Sequence, residues 1–323
     1  MDACKPVNGP RGTVLLFSAN AKRVGIPMDA ADLKVFAAVA RIGGMNRAAN
    51  ELHTVQSNVT ARVRTLEEEL GVQLFHRGQK GVTLTAAGER LLPYAIKVTH
   101  LIEEAQKAVK DDGKPRGRLT IGSLETTAAL RLSPILAAYW ATYPNVDLML
   151  RTGTTCELIE QVLNHTVEGA FVCGPVNHQD LAEEVFFREE LVVLTARTIQ
   201  SLDDLVRKGD VKIIVLREGC SYRQILENIL IKRGVVGIRH LEFGTLEAIY
   251  GSVSAGLGIT LLPKSLIGTV WRDRGVAVHE IAEAESHNTT VFAYRHDALI
   301  SSALKEFLKL ARPTSPLRIL AAE

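Results

Sequence analysis

Cysteine is scarce and scattered. The chain has four, Cys4, Cys156, Cys173 and Cys220, in 323 residues, and no two form a CxxC pair. That excludes a zinc-finger framework and a small disulfide scaffold, and it fits reduced thiols in a cytoplasmic protein. Charge of one sign is also lacking. The formal net charge is only +2, so any affinity for nucleic acid must come from local patterning. No uninterrupted apolar run approaches the roughly 18 residues of a membrane span, and no membrane partner is expected. VLLF, Val14 to Phe17, is shorter than the roughly 7–15 apolar residues of a signal peptide. Catalytic motifs are missing too. No HExxH or P-loop occurs, and Gly219-Cys220-Ser221-Tyr222 lacks the second glycine of a GxSxG elbow. The histidines are dispersed, with His53 at a turn and His76 beside a hairpin, and show no metal-ligand spacing. Neither an enzyme nor a bound metal or cofactor is expected.

What is present is enough apolar residue, 46%, to fill the cores of two or three domains. Periodicity begins after Met28, so residues 1–27 read as a disordered extension or as an upstream start. From Asp29 onward Leu33, Phe36, Ala37 and Ala40 recur at helical spacing until Gly43 and Gly44. A short helix over Asn46 to Leu52 follows, HTVQ breaks it, and a third helix shows Val59, Val63, Leu66 and Leu70 on one face. LFHRGQKGVTLT, Leu74 to Thr85, reads as a hairpin wing.

A long helix then runs from about Ala86 to Lys110. Leu91, Ala95, Val98, Ile102, Ala105 and Val109 step by four and three along it, an a/d seam suited to a partner helix. DDGKPRGR, Asp111 to Arg118, reads as a hinge. Beyond it strands and helices alternate: RLTIGS, VDLMLRTG, GAFVCG, EVFF, ELVVLTA, KIIVL, RHLEFG, GITLLP and HNTTVFAY are strands, with helices between most of them and a last helix over Ile300 to Ala311. This predicts an α/β fold with two lobes and a cleft. The expected divisions are a head over 28–85, a linker helix over 86–111 and a hinge over 112–117. The α/β region covers 118–311, with lobe I about 118–174 and 288–311 and lobe II about 175–287, and a tail closes the chain over 312–323.

The third helix carries an uneven charge pattern. Its first half, Gln56, Ser57, Asn58, Thr60, Ala61 and Arg62, has short polar and cationic groups and no carboxylate; Glu67, Glu68 and Glu69 come only near its end. Side chains of this kind read base edges, and in a helix-turn-helix the start of the second helix enters the major groove. Asn46 and Arg64 flank that surface, and Arg77 and Lys80 in the wing suit phosphate or minor-groove contact. Double-stranded DNA is thus the expected partner.

The stretch DLKVFAAVARIGGMNRAANELHTVQSNVTARVRTLEEELGVQLFHRGQKGVTLTAAGERLLPYA resembles the winged helix-turn-helix of the LysR-type transcriptional regulators, a bacterial family. Phe36, Val39, Gly43, Ala48-Ala49, Leu52, Gln56, Val59, Leu66-Glu67, Leu70-Gly71, Leu74-Phe75, Arg77, Leu84-Thr85 and Ala87-Gly88 carry the match in order. LGITLLP, Leu257 to Pro263, resembles the same family's effector domain, so the likeness runs from about residue 28 to the end. It implies a dimerising linker helix, a two-lobed effector domain like a periplasmic binding protein, and tetramers built as dimers of dimers. It further implies transcription regulation at an operator, with RNA polymerase as a partner. The chain departs from the pattern at Ser57 and Asn58, where Pro or Ala is common, at Ala61, where a basic residue is common, and at Arg62, where Gln is common.

Ligands of open α/β sheets sit beyond the C-terminal strand ends, where helix N-termini favour anions. The expected effector residues are therefore Ser123, Glu125, Thr126, Thr127, Thr152, Gly153, Thr154, Thr155, Gly174, Cys220, Ser221, Tyr222, Gly244 and Thr245. Their hydroxyls and glycines suit a small polar, anionic ligand, with Glu125 favouring an added ammonium or hydroxyl. Two alternatives stand beside this. Cys220 opens a helix whose N-terminus would lower its pKa, making a redox sensor; peroxide-sensing relatives in the resembling family keep their reactive cysteine in this region. A solute-binding protein without a DNA role has the same two-lobe pattern but leaves the head unexplained.

Overall fold

Asp29 accepts a hydrogen bond from the Ala31 N–H as N-cap of α1 (Ala30–Ile42), a contribution of about 1 kcal/mol. The computed structural model describes residues 28–78, 81–207, 211–271 and 275–312; the extension expected over 1–27, Lys80 and most of the expected tail lie outside them. The chain forms two compact units whose boundary falls between Leu92 and Pro93.

In the first unit α1 is followed by α2 (Met45–Glu51), α3 (Gln56–Leu70), β1 (Phe75–Gly78) and β2 (Gly81–Leu84). Val59, Val63 and Leu66 are fully buried on one face of α3, against Leu33, Phe36, Val39, Ala48 and Ala49. Leu70 is only half-buried, and on α1 Val35, Ala38 and Val39 are buried in place of the expected Ala37 and Ala40. Gly43 and Gly71 end α1 and α3 in the left-handed conformation, at φ 70° and 68°, which glycine adopts without a Cβ penalty. β1 and β2 form an antiparallel hairpin pairing Phe75 with Leu84. α4 (Ala86–Lys110) begins with the Thr85 hydroxyl accepting from the Gly88 N–H at 3.1 Å. A Cβ on Gly88 would lie 2.3 Å from the Leu74 carbonyl oxygen, so the Leu-Thr-Ala-Ala-Gly run is a cap followed by a close crossing.

α4 carries Pro93 inside it. Along its C-terminal half Val98 and Ile102 are about two-fifths exposed and Val109 is almost fully exposed. Tyr94 and Leu101 join this apolar stripe, though the heptad reading left them out. Ala105 is exposed, Leu91 is half-buried, and Ala95 is fully buried within the chain. Ala95 is therefore removed from the expected intermolecular seam.

The second unit continues through β3 (Gly117–Ser123), α5 (Glu125–Thr127), a π-helical turn (Ala128–Leu132), α6 (Ser133–Thr142), β4 (Val146–Thr152), α7 (Thr155–Leu163), β5 (Gly169–Cys173) and β6 (Leu181–Ala196). Next come α8 (Leu202–Arg207), β7 (Val211–Val215), α9 (Ser221–Lys232), β8 (Ile238–Glu242), α10 (Leu246–Ser254), β9 (Thr260–Pro263), α11 (Leu266–Thr269), β10 (Val276–Glu280), α12 (Glu283–Ser286), β11 (His287–Arg295) and α13 (Ser302–Ala311). The sheet order is β10-β6-β11-β5-β3-β4, with β9 also on β6, and a parallel β7-β8 pair joins it through Ile214 and Ile259.

β6 corrects the sequence reading, which split it into EVFF and ELVVLTA. It is one strand that serves both lobes: Leu181 to Glu190 pair with β11, and Leu191 to Ala196 with β9 and β10. Only Arg188 and Glu189 fall between EVFF and ELVVLTA. Glu189 is buried, accepting from Arg131 at 2.9 and 3.2 Å and from Ser265 at 3.1 Å. β10 and α8 were not anticipated. Lobe I packs Phe171, Phe186, Phe292 and Phe307 on one face of its sheet and Leu158, Val162, Val172 and Val291 on the other. Lobe II packs β6, β7 and β9 against α9 and α10 through Val193, Ile213, Leu226, Ile249 and Leu261. A Cβ on Gly258 would meet the Lys212 carbonyl at 2.5 Å, which explains the glycine in LGITLLP.

Candidate nucleic-acid interface and effector cleft

α3 presents Gln56, Ser57 and Asn58 to solvent, opposite its buried face, and no side chain caps its N-terminus at Val55. Asn46 is exposed in the first turn of α2. The Asn58 amide donates to the Thr54 hydroxyl at 2.9 Å, which leaves its carbonyl oxygen free of that bond. Thr60 is half-buried. Arg62 is a partial correction: its Nη1 donates to Asp32 at 2.7 Å, and Asp32 is nearly buried, so this guanidinium is tied into the head's own packing. Arg64 forms an exposed i,i+4 pair with Glu68 at 2.7 Å. β1 carries Arg77.

The three carboxylates that end α3 all have partners within the head. Glu67 accepts from the backbone N–H groups of Leu74 and Phe75 at 2.8 and 3.3 Å and fixes the entry to the wing. Glu68 holds Arg64, and Glu69 accepts from the Met28 N–H at 2.8 Å. The acidic end of the helix is thus structural, and its uncharged start is left exposed.

In the second unit the cleft lies between β3–α5 and the start of α7 on one lobe and the β7–α9 junction on the other. Glu125, Thr126, Thr154, Cys220, Tyr222 and Gly244 line it as expected, together with Gly153 and the unanticipated Leu124, Leu216 and Arg217. The lobes are shut. About 20 Å³ of free space remains, room for about one water. Thr126 and Tyr222 hydroxyls meet across the cleft at 3.3 Å, and Ser221 donates to Thr155 at 3.2 Å. The remaining candidates lie off the cavity. Ser123 is buried and donates to the Leu124 carbonyl, Thr127 is buried, and Thr152 is exposed. Gly174 abuts Val291, and the exposed Thr245 caps α10. Strand-end position alone did not reveal which side chains turn inward.

Electrostatics at the cleft overturn one expectation. Burial pushes the Cys220 thiol up, and the Arg223 and Tyr222 N–H groups offset it only in part; nearby Cys173 adds to the rise. The helix N-terminus therefore does not yield a low-pKa thiol. Cys173 is likewise raised by burial, although Ser221 and Asn288 hydrogen-bond it. Burial raises Glu125, Arg217 opposes the rise, and Glu247 adds to it. Among the described residues no group of His, Cys, Asp or Glu could hold a metal ion.

A helix-turn-helix head with an exposed reading helix, followed by a two-lobed α/β domain with a cleft, defines a ligand-responsive DNA-binding regulator. Family comparison agrees. Residues 30–89 match "Bacterial regulatory helix-turn-helix protein, lysR family" and residues 112–315 match "LysR substrate binding domain". The chain is 43% identical over 281 residues to the HTH-type transcriptional regulator YofA of Bacillus velezensis, covering 87% of this chain and 96% of that protein. It is 44% identical over 279 residues to GltR of Bacillus subtilis, covering 85% and 93%. In fold it resembles a full-length OxyR variant from Pseudomonas aeruginosa, with TM-score 0.63, 21% identity and coverage of 88% and 93%. It also resembles full-length CbnR in complex with its target DNA, with TM-score 0.62, 23% identity and coverage of 88% and 99%. The chain belongs to the LysR-type transcriptional regulators, DNA-binding proteins with a C-terminal effector-binding domain. Its relatives are named as regulators, not as enzymes.

Proposed function

We propose that α3 reads the operator through Gln56, Ser57 and Asn58, with Asn46, Thr60, Arg64, Arg77 and Lys80 supporting it at bases or phosphates and Arg62 holding the head together. The single observation behind this is the exposed, uncapped and carboxylate-free start of α3, backed by a fully buried face. Free N–H groups at a helix start also favour phosphate. The test is operator affinity of the full chain, using sites selected from random duplex. Gln56→Ala and Ser57→Ala are expected to lose about 1–3 kcal/mol if each reads a base. Unchanged affinity and selectivity for both would reject the assignment.

The effector site we propose is the cleft, with Arg217, the α9 N-terminus and the Thr126 and Ser221 hydroxyls taking a carboxylate or similar group of a small polar ligand. Ligand binding requires the lobes to part, which breaks the Thr126–Tyr222 contact. A tenfold bias between two lobe arrangements needs about 1.4 kcal/mol of differential binding. Dimerisation through the apolar stripe of α4, assembly to tetramers, action in the cytoplasm and contact with RNA polymerase complete the reading. The redox alternative is not favoured, because the Cys220 thiol is raised by burial.

A further inference from the structure

Glu125 is a half-buried carboxylate at the rim of the shut cleft, and no hydrogen-bond or ion-pair partner engages it among the described residues. Its neighbours do not share this idleness: Thr126 meets Tyr222, and Thr154 forms a reciprocal cap with Glu157. On the opposite wall Arg217 lines the same cavity. Its side chain is 55% exposed, and its guanidinium lies 3.9 Å from the carboxylate of Glu157. Glu125 and Arg217 are close enough to influence one another, and Glu247 acts on Glu125 as well.

This arrangement discriminates between ligand classes. A plain anion meets Arg217 but places negative charge beside Glu125 and Glu247. A plain amine satisfies Glu125 and faces Arg217. A molecule carrying both charges a few bonds apart satisfies both walls when the lobes close on it. We propose that the cleft selects a small zwitterion, an amino acid or close analogue, with its ammonium on Glu125 and its carboxylate on Arg217. This deepens the reading of the cleft as the effector site and rests on it.

The experiment uses the full chain, thermal shift and calorimetry. The probes are the twenty proteinogenic amino acids and the matched acids lacking the amino group, such as succinate for aspartate and glutarate for glutamate. At least one amino acid is expected to stabilise the protein and to bind at least about 10-fold tighter than its deaminated counterpart. Glu125→Gln should weaken that amino acid by about 10- to 100-fold, the range for a hydrogen bond to a charged group, while leaving the counterpart's affinity unchanged or improved. Because Glu125 has no partner to lose among the described residues and burial disfavours its charge, the ligand-free melting temperature of Glu125→Gln should be no lower than that of wild type. Three results overturn the proposal: no amino acid binds, the deaminated acid binds equally well, or Glu125→Gln leaves the preference intact. Thr126→Val separates this from the parent reading. Should a simple acid bind and be lost in Thr126→Val, only the zwitterion inference falls; should no binding of any probe respond to Thr126→Val, the cleft itself is not the effector site.

Discussion

The guanidinium of Arg295 donates to the carboxylate of Glu104 at 2.8 Å, from the last residue of β11 to the linker helix. The Leu299 N–H joins it at 3.0 Å. Two further contacts lie close by: Lys107 pairs with Glu168 at 2.9 Å, and Asp111 accepts from the Ser302 N–H at 2.7 Å. The segment expected to be a hinge thus starts at a residue anchored to α13. Arg295 is 8% exposed, so Glu104→Ala leaves a buried cation with Asp297 as its one remaining ion-pair partner among the described residues. A loss of about 1–3 kcal/mol is expected in urea unfolding of the full chain, against less than about 1 kcal/mol for the more exposed Lys107→Ala.

The same carboxylate has a pH signature. Burial disfavours its charge, but the Leu299 N–H, the Arg295 guanidinium and His165 together outweigh that and hold Glu104 below the usual carboxylate range. Its folded value lies below its unfolded one, so its contribution is fully present above the ordinary glutamate range. It is lost as pH falls through the depressed folded value. Wild type and Glu104→Gln should therefore converge in stability as the pH drops below about 4; a constant gap from pH 7 to 3 would contradict this.

Arg62 and Asp32 form the corresponding tie in the head. Arg62→Ala leaves Asp32 nearly buried without its cation, so the melting temperature of the head's transition should fall as well as operator affinity. Gln56→Ala, on an exposed side chain, should change affinity alone. A double-mutant cycle with Asp32→Asn is expected to return a coupling of about 1–2 kcal/mol.

Gly88 admits no side chain. Gly88→Ala would drive a methyl into the Leu74 carbonyl and the Leu84 side chain, the latter 2.8 Å away. Destabilisation of about 1–3 kcal/mol is expected from such overpacking. Gly78→Ala, where nothing lies within 4 Å, serves as the control in the same thermal melts.

Ile102→Asp and Leu101→Asp place charge on the exposed stripe of α4 and should yield folded monomers by light scattering. Ala95→Asp, at a fully buried position, should fail to fold. If Ile102→Asp remains a dimer with wild-type mass, the stripe is not the interface.

The thiols offer a last measurement. In a Cys4→Ser background, exposed Cys156 should react with a disulfide reagent well before Cys220, whose thiol is buried and raised. Faster reaction at Cys220 would restore the redox reading.

Much of this protein was legible in its sequence because local rules govern it. Val59, Val63 and Leu66 recur at helical spacing, and Gly43 and Gly71 stop helices by a backbone conformation that glycine adopts without penalty. β7, α9, β8, α10 and β9 follow from alternation and turn chemistry. The uneven charge of α3 was visible as well. Tertiary structure decided which distant groups meet. The sequence could not show that Glu189 is buried mid-strand, since its partners Arg131 and Ser265 lie about 60 and 75 residues away. Nor could it show that Arg62 turns to Asp32, that Ala95 is covered by its own chain, or that Arg217 faces the cleft while Thr152 and Thr245 do not. Burial of Cys220 outweighed the helix N-terminus for the same reason: desolvation depends on every neighbour in space, whereas capping and periodicity depend on neighbours along the chain.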